Sequence, residues 1–256
     1  MQPILFHLFG WPIQAYGFFI ALGYILGLIL VRRLAISRRR HPAPYTDLSF
    51  FALIVGLIGA RALFVLTNLD YFSSHADEIF YFWGGGLVFY GGFLLAFPFV
   101  LWFVSFRGLP LKMSLDILAP GLALGHAVGR LGCFFAGCCH GRVCDLPWGV
   151  QMNSLQVEPA LRGLALHPTQ LYEAAGLFLL SGILSFFVIT KRLRDGLVAV
   201  AYAMGYAILR TGVEFYRGDS IRGTLAGTPF STSQLIALAL LGGGSLVLLR
   251  GFGRDQ

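Results

Sequence analysis

The chain has 256 residues, of which 57% are hydrophobic and 12% charged, with a mean hydropathy of +0.74 and a formal charge of +7. Soluble domains carry about 25% charged residues, so a single soluble core is excluded and a polytopic membrane protein is indicated. The positive charge does not imply nucleic acid, because it sorts by side of the membrane.

Met1 to Gly10 contains no Lys or Arg, so no cleavable signal is expected. Seven apolar segments follow: Pro12–Val31, Leu48–Thr67, Gly86–Phe106, Leu115–Phe135, Thr169–Thr190, Leu197–Phe215 and Ser233–Leu249. Each is close to the roughly 20 residues that a membrane helix needs. The expected fold is an all-α integral membrane protein of seven transmembrane helices, residues 1–256 forming one domain. Pro98 and Pro120 interrupt the third and fourth segments, which neighbouring helices must compensate.

The connections differ in charge. Arg32, Arg33, Arg38, Arg39, Arg40, Arg107, Lys112, Lys191, Arg192, Arg194, Arg250 and Arg254 fall on one side, against Arg142, Arg162, Arg217 and Arg222 on the other. The excess marks the cytoplasmic side, which puts the N-terminus outside and the C-terminus inside. The outer connections are then 68–85, 136–168 and 216–232. The first holds Tyr71, Phe72, Tyr81, Phe82 and Trp83, as suits an interfacial aromatic belt.

Three arginines remain inside segments: Arg61, Arg130 and Arg210. A guanidinium at that depth is costly without a partner and marks a functional candidate. Arg130 is one turn from His126 and beside Gly121, Gly125, Gly129, Cys133 and Gly137, a four-residue repeat that makes a small-residue stripe for close helix approach. Tyr202, Tyr206, Arg210, Glu214 and Arg217 lie on one helical face. An Arg210–Glu214 pair alone would be a structural tie. With Arg61 and Arg130 it suggests a cationic cavity suited to a lipid phosphate, which guanidinium binds bidentately.

The cysteines run Cys133-x4-Cys138-Cys139-x4-Cys144, not the Cys-x2-Cys spacing of zinc sites, so no metal is expected. On the outer side a disulfide from Cys138 or Cys139 to Cys144 is the first expectation. A reactive thiol with His140 or His126 as its base, or metal binding with His140, are the alternatives. His126 on an apolar helix reads as a hydrogen-bonded packing residue. His167-Pro168 closes the long connection, Thr169 is the expected cap of the next helix, and Tyr172 and Glu173 fall on its first turn.

In this order the motifs resemble those of the bacterial prolipoprotein diacylglyceryl transferases, over most of the chain. Tyr16-Gly17, Gly59-Ala60-Arg61, Trp83 to Gly92, Asp116 to Pro120, Gly129 to Gly132, Gly141, His167 to Glu173, and Tyr206, Arg210, Glu214 and Arg217 carry the resemblance. Three positions depart from it: Tyr90 stands at the family's histidine, Cys133 at its asparagine and Cys138 at its glutamate. The resemblance implies transfer of the diacylglyceryl group of phosphatidylglycerol to the lipobox cysteine of a prolipoprotein signal peptide. Glycerol phosphate would leave, at the outer face of the inner membrane, without a cofactor. It assigns catalysis to Arg130, Arg210, Glu214, Tyr90, Tyr16 and Tyr206. It assigns substrate binding to Arg130, Arg61, Gly141, His167, Gln170, Tyr172, Glu173 and Arg217. A tyrosine titrates near 10 and is a poor base at neutral pH, so the departures leave two alternatives. One is a paralogue using the same lipid with another acceptor; the other is a lipid-binding membrane protein that is not an enzyme.

Overall fold

The computed structural model describes residues 4–8, 10–81, 85–154, 156–218 and 242. In chain order it has β1 (Ile4–Leu8), β2 (Trp11–Gln14), α1 (Ala15–Ser37), α2 (Ala43–Thr67), the short α3 (Leu69–Phe72), α4 (Phe89–Phe106), α5 (Leu111–Ala136), β3 (Val150–Gln151), β4 (Ala165–Leu166), α6 (Thr169–Thr190) and α7 (Leu197–Glu214). Among the described residues, six helices are long and apolar enough to cross a membrane. They coincide with the first six apolar segments. The seventh, Ser233–Leu249, lies outside the described residues.

The expected all-α fold gains two small antiparallel sheets, β1 with β2 and β3 with β4. The first explains why α1 starts at Ala15 rather than Pro12: Pro12 pairs with His7 in the hairpin. At its other end α1 runs on to Ser37 and takes in Arg32 and Arg33. Apolar periodicity marks only the lipid-crossing part of a helix, so the polar extension was not predicted.

Helix α5 is the centre of the bundle. Half of its most apolar stretch is buried, against a sixth to a third for the others. The outer helices instead expose Phe51, Ile58, Phe93, Leu94 and Leu179, apolar side chains that hydrocarbon must cover. Glycines set the close approaches. A Cβ at Gly23 would lie 2.7 Å from the carbonyl oxygen of Gly125, and one at Gly27 2.7 Å from that of Gly121, so α1 and α5 touch backbone to backbone. Gly59 with Gly91 and Gly56 with Gly92 join α2 to α4 in the same way.

The predicted small-residue stripe holds at Gly121 and Gly125 and then turns away. A Cβ at Gly129 would meet nothing, whereas one at Gly132 would meet Phe19 and the Tyr16 backbone. Four-residue steps rotate about 40° per repeat on a helix of 3.6 residues per turn, while seven residues nearly restore the face.

The basic end is bound together across the connections. Arg38 pairs with Asp195, and Arg107 with Asp47 at 3.5 Å. Buried Asp116 of α5 accepts the backbone N–H groups of Gly196 and Ala199, at 2.6 and 2.8 Å. It thereby caps α7 from another helix. Val31, Leu34, Tyr45, Ile117, Leu184 and Val198 form the apolar core beside it. At the opposite end lie the long loop between α5 and α6 and the segment between α2 and α4.

Candidate active site

Glu173, buried in the first turn of α6, is the focus of the polar groups at the loop end. Its Oε1 lies 3.0 Å from Arg130 Nη2, accepts the Tyr206 hydroxyl at 3.2 Å and lies 3.7 Å from His126 Nε2. The His126 and Tyr206 rings pack with centroids 5.1 Å apart. Helices α5, α6 and α7 each contribute to this one cluster. They are held above Ala123, Ala127 and Leu177, a small apolar layer against which Tyr202 and Tyr206 rest. The sequence placed Glu173 at a positive helix end; its charge is instead spent on Arg130, since a buried carboxylate needs an explicit partner.

Arg210 pairs with Glu214 at 2.9 Å on α7, as the spacing predicted. The charges of Arg130 and Arg210 both act on His126 and Tyr206, so the two guanidinium groups are within electrostatic reach of the same two side chains. Each keeps a buried N–H with no acceptor among the described residues: Nε of Arg130 and Nη1 of Arg210. Two anions and two cations share the site, so the expected cationic cavity is in fact a mixed cluster with unspent donors.

Arg61 is not part of it. Its Nε donates to the Ile79 carbonyl at 2.8 Å, Nη1 to those of Gly85 and Gly86 at 3.0 and 3.2 Å, and Nη2 to that of Glu78. The guanidinium also lies over the rings of Phe64 and Phe72, 5.4 Å from each. The arginine expected to bind lipid is instead a post that ties Glu78, Ile79, Gly85 and Gly86 to α2. Sequence could not show this, because the acceptors are main-chain carbonyls. Tyr90 is on α4, half-exposed, with its ring against Phe89. Among the described residues no hydrogen bond joins it to Arg130 or Arg210. Trp83, in the same motif, lies outside the described residues.

The other expected residues build the loop end. Gly141 sits where three segments meet: its N–H donates to the His167 carbonyl at 2.8 Å, and it bridges to Arg217. A Cβ there would fall 2.5 Å from both the His167 Cβ and the Tyr216 carbonyl oxygen. His167 Nδ1 is 3.1 Å from the Tyr172 hydroxyl, which accepts from Trp148 Nε1 at 2.9 Å. Burial, and then the Arg142 charge, lower the pKa of His167 from its ordinary value, with Asp145 opposing them. These groups line an apolar hollow with Leu209 and Val213, on another side of α7 from Arg210.

Thr169 is not the cap expected. The cap position is Pro168, and the Thr169 hydroxyl donates to the Cys139 carbonyl at 2.8 Å. Gln170 Nε2 donates to the Cys138 carbonyl at 2.6 Å. The start of α6 thus grips the turn that ends α5. All four cysteines are free. The expected bridge to Cys144 is replaced by a different grouping: Cys133, Cys138 and Cys139 lie together. Cys144 is buried elsewhere, its N–H donating to the Ala165 carbonyl. Tyr16, half-exposed on α1, is near all three clustered cysteines and Arg130.

Comparison with known proteins bears on this arrangement. The sequence pattern of the family described as prolipoprotein diacylglyceryl transferase matches residues 3–250. Proteins named phosphatidylglycerol–prolipoprotein diacylglyceryl transferase are similar over nearly their full length. That of Finegoldia magna is 33% identical over 251 residues, 98% of this chain and 96% of its own. That of Clostridium tetani is 33% identical over 93% of each chain. That of Geobacter sulfurreducens is 35% identical over 94% of this chain and 91% of its own. Matched across this extent, the chain belongs to the prolipoprotein diacylglyceryl transferase family.

Proposed function

We propose that this protein transfers the diacylglyceryl group of phosphatidylglycerol to the lipobox cysteine thiol of a prolipoprotein, with its reacting groups toward the outer face of the bacterial inner membrane. The observation that carries the reading is the pair of partly buried guanidinium groups, Arg130 and Arg210, each with one buried N–H left for an acceptor near Tyr206 and His126. A phosphodiester supplies such acceptors and one negative charge.

The acceptor sulfur attacks the glyceryl carbon that bears the phosphate. A C–S bond forms, the C–O bond breaks, and its electron pair leaves on glycerol phosphate. Negative charge on the phosphate grows along this path, so donors fixed at its oxygens bind the transition state more tightly than the ground state. Glu173 and Glu214 orient Arg130 and Arg210, while Tyr206 and Tyr16 border the reacting groups. His167, Tyr172, Gly141, Gln170 and Arg217 belong to the loop scaffold around them. The test is lipid transfer from labelled phosphatidylglycerol to a lipobox peptide. Arg130→Ala and Arg210→Ala are each expected to lose roughly 100- to 1,000-fold. A loss of less than about tenfold in both would overturn the clamp. Retention of phosphatidylglycerol with no transfer to any thiol by the wild type would make the protein a lipid binder.

A further inference from the structure

The transfer reaction needs a thiolate, whereas a free cysteine titrates near 8.5. Within the clamp, His126 faces Glu173 at 3.7 Å and Glu173 is paired with Arg130. One cluster beside the clamp is unused so far. The Sγ atoms of Cys133, Cys138 and Cys139 all lie within 4.8 Å of one another. Cys133 is buried in the last turn of α5, and the other two are half-buried.

The turn that brings them together is strongly determined. Gly137, at φ 78°, stops α5, and the Cys138 N–H returns to the Cys133 carbonyl at 3.1 Å. Cys139 itself has φ 60°, a left-handed conformation that residues with a Cβ rarely hold. The buried side chains of Thr169 and Gln170 hold the carbonyls of Cys139 and Cys138 in that shape. Arg130, one turn before Cys133, is close enough for its charge to act on Cys133 and Cys139, and that of Arg217 also reaches Cys139.

Three unbridged sulfurs in such a triangle match a thiophilic ion. Zinc–sulfur bonds of about 2.3 Å in a tetrahedron separate sulfurs by roughly 3.8 Å, within the observed spread. The spacing along the chain is not that of a zinc finger, because the helix end and the left-handed turn, rather than a hairpin, gather the ligands. Three protein ligands with a fourth position open is the arrangement of a reactive zinc rather than a structural one. We propose that Cys133, Cys138 and Cys139 bind zinc, and that the open position takes the acceptor cysteine.

This deepens the transfer reading and rests on it. The acceptor S–H coordinates and gives its proton to water, since a thiol on zinc is deprotonated outright. The zinc-bound sulfur then forms its bond to the glyceryl carbon as the carbon–oxygen bond to phosphate breaks. The electron pair departs with glycerol phosphate against Arg130 and Arg210. The product thioether is neutral and a weaker ligand than thiolate, so it leaves the metal. No electron is gained or lost overall. Two of the three positions that depart from the resembled family, 133 and 138, are then ligands.

The test uses the full chain purified in detergent with a reductant. Metal analysis is expected to find about one zinc per chain, absent in Cys133→Ser and Cys139→Ser and retained in Cys144→Ser. With cobalt(II) in place of zinc, the sulfur-to-metal charge-transfer band is expected to strengthen on addition of a lipobox peptide, but not of its serine analogue. Chelation should lower transfer by roughly a hundredfold and added zinc should restore it. Phosphatidylglycerol retention by Cys139→Ser shows that the variant is folded. Retention without metal or transfer supports the site. Metal-free protein with undiminished transfer overturns the zinc while leaving the transfer reading intact, as does a disulfide within the triad in the active protein. A copper(I) site that ignores the peptide, or a cobalt band unmoved by it, overturns it equally.

Discussion

At Glu173 one carboxylate oxygen receives an arginine, a tyrosine hydroxyl and a histidine within 3.7 Å. The arrangement has a clear consequence for the neighbouring guanidinium. With one Nη of Arg130 spent on Glu173, the group is oriented and its remaining donors are aimed, which a solvated arginine could not achieve. Arg61 shows the contrary use of the same side chain: four of its five N–H donors go to main-chain carbonyls, so it organises a loop. Arg61→Ala is therefore expected to loosen residues 68–81. Their amide hydrogen exchange should accelerate, with a smaller loss of lipid transfer than Arg130→Ala. Equal losses from the two variants, with unchanged exchange, would contradict this division. Spacing along the chain could not separate the two arginines, because both lie inside apolar segments beside glycines.

Among the helices, the decisive contacts are made by small groups rather than large ones. Gly23, Gly27, Gly121 and Gly125 let α1 and α5 meet at backbone distance, and Asp116 ties α5 to the start of α7. Asp116→Ala would leave two part-buried N–H groups without that acceptor at a helix start, a loss of about 1–2 kcal/mol. A lower thermal midpoint in detergent is the expected outcome, with Asp116→Asn falling between wild type and Ala because the amide oxygen still accepts one bond. The position of α7 also fixes Tyr206 and Arg210, so transfer should fall in parallel with stability. A midpoint unchanged by Asp116→Ala would show that the cap contributes nothing.

Across the whole molecule the two ends differ in kind. Arg38, Asp195, Arg107 and Asp47 pair at one end, close to the many basic residues of those connections. The polar cluster, the three cysteines and the long loop share the other. The positive-inside rule would put the basic end in the cytoplasm and the cluster outside, the orientation proposed above, where a translocated lipobox would arrive. A protease-cleavable tag in the loop at Gly163 is expected to be cut in intact spheroplasts, and one at Gly108 only after lysis. The opposite pattern would invert the orientation and remove the access argued for the acceptor.

Length, apolar runs and the distribution of Lys and Arg by themselves determined the membrane class and the six helices seen, since hydrocarbon imposes the same length and polarity on every span. They also determined the Arg210–Glu214 pair, which is local to one helix. What only the tertiary structure decided were the encounters between elements. Glu173 joins Arg130, Asp116 caps α7, Arg61 serves a loop, and Cys138 and Cys139 turn back to Cys133 instead of reaching Cys144. Each of these depends on how helices are rotated about their axes and on main-chain carbonyls as partners. A pattern of side-chain types carries neither, because periodicity marks which face is apolar but not which neighbour that face will meet.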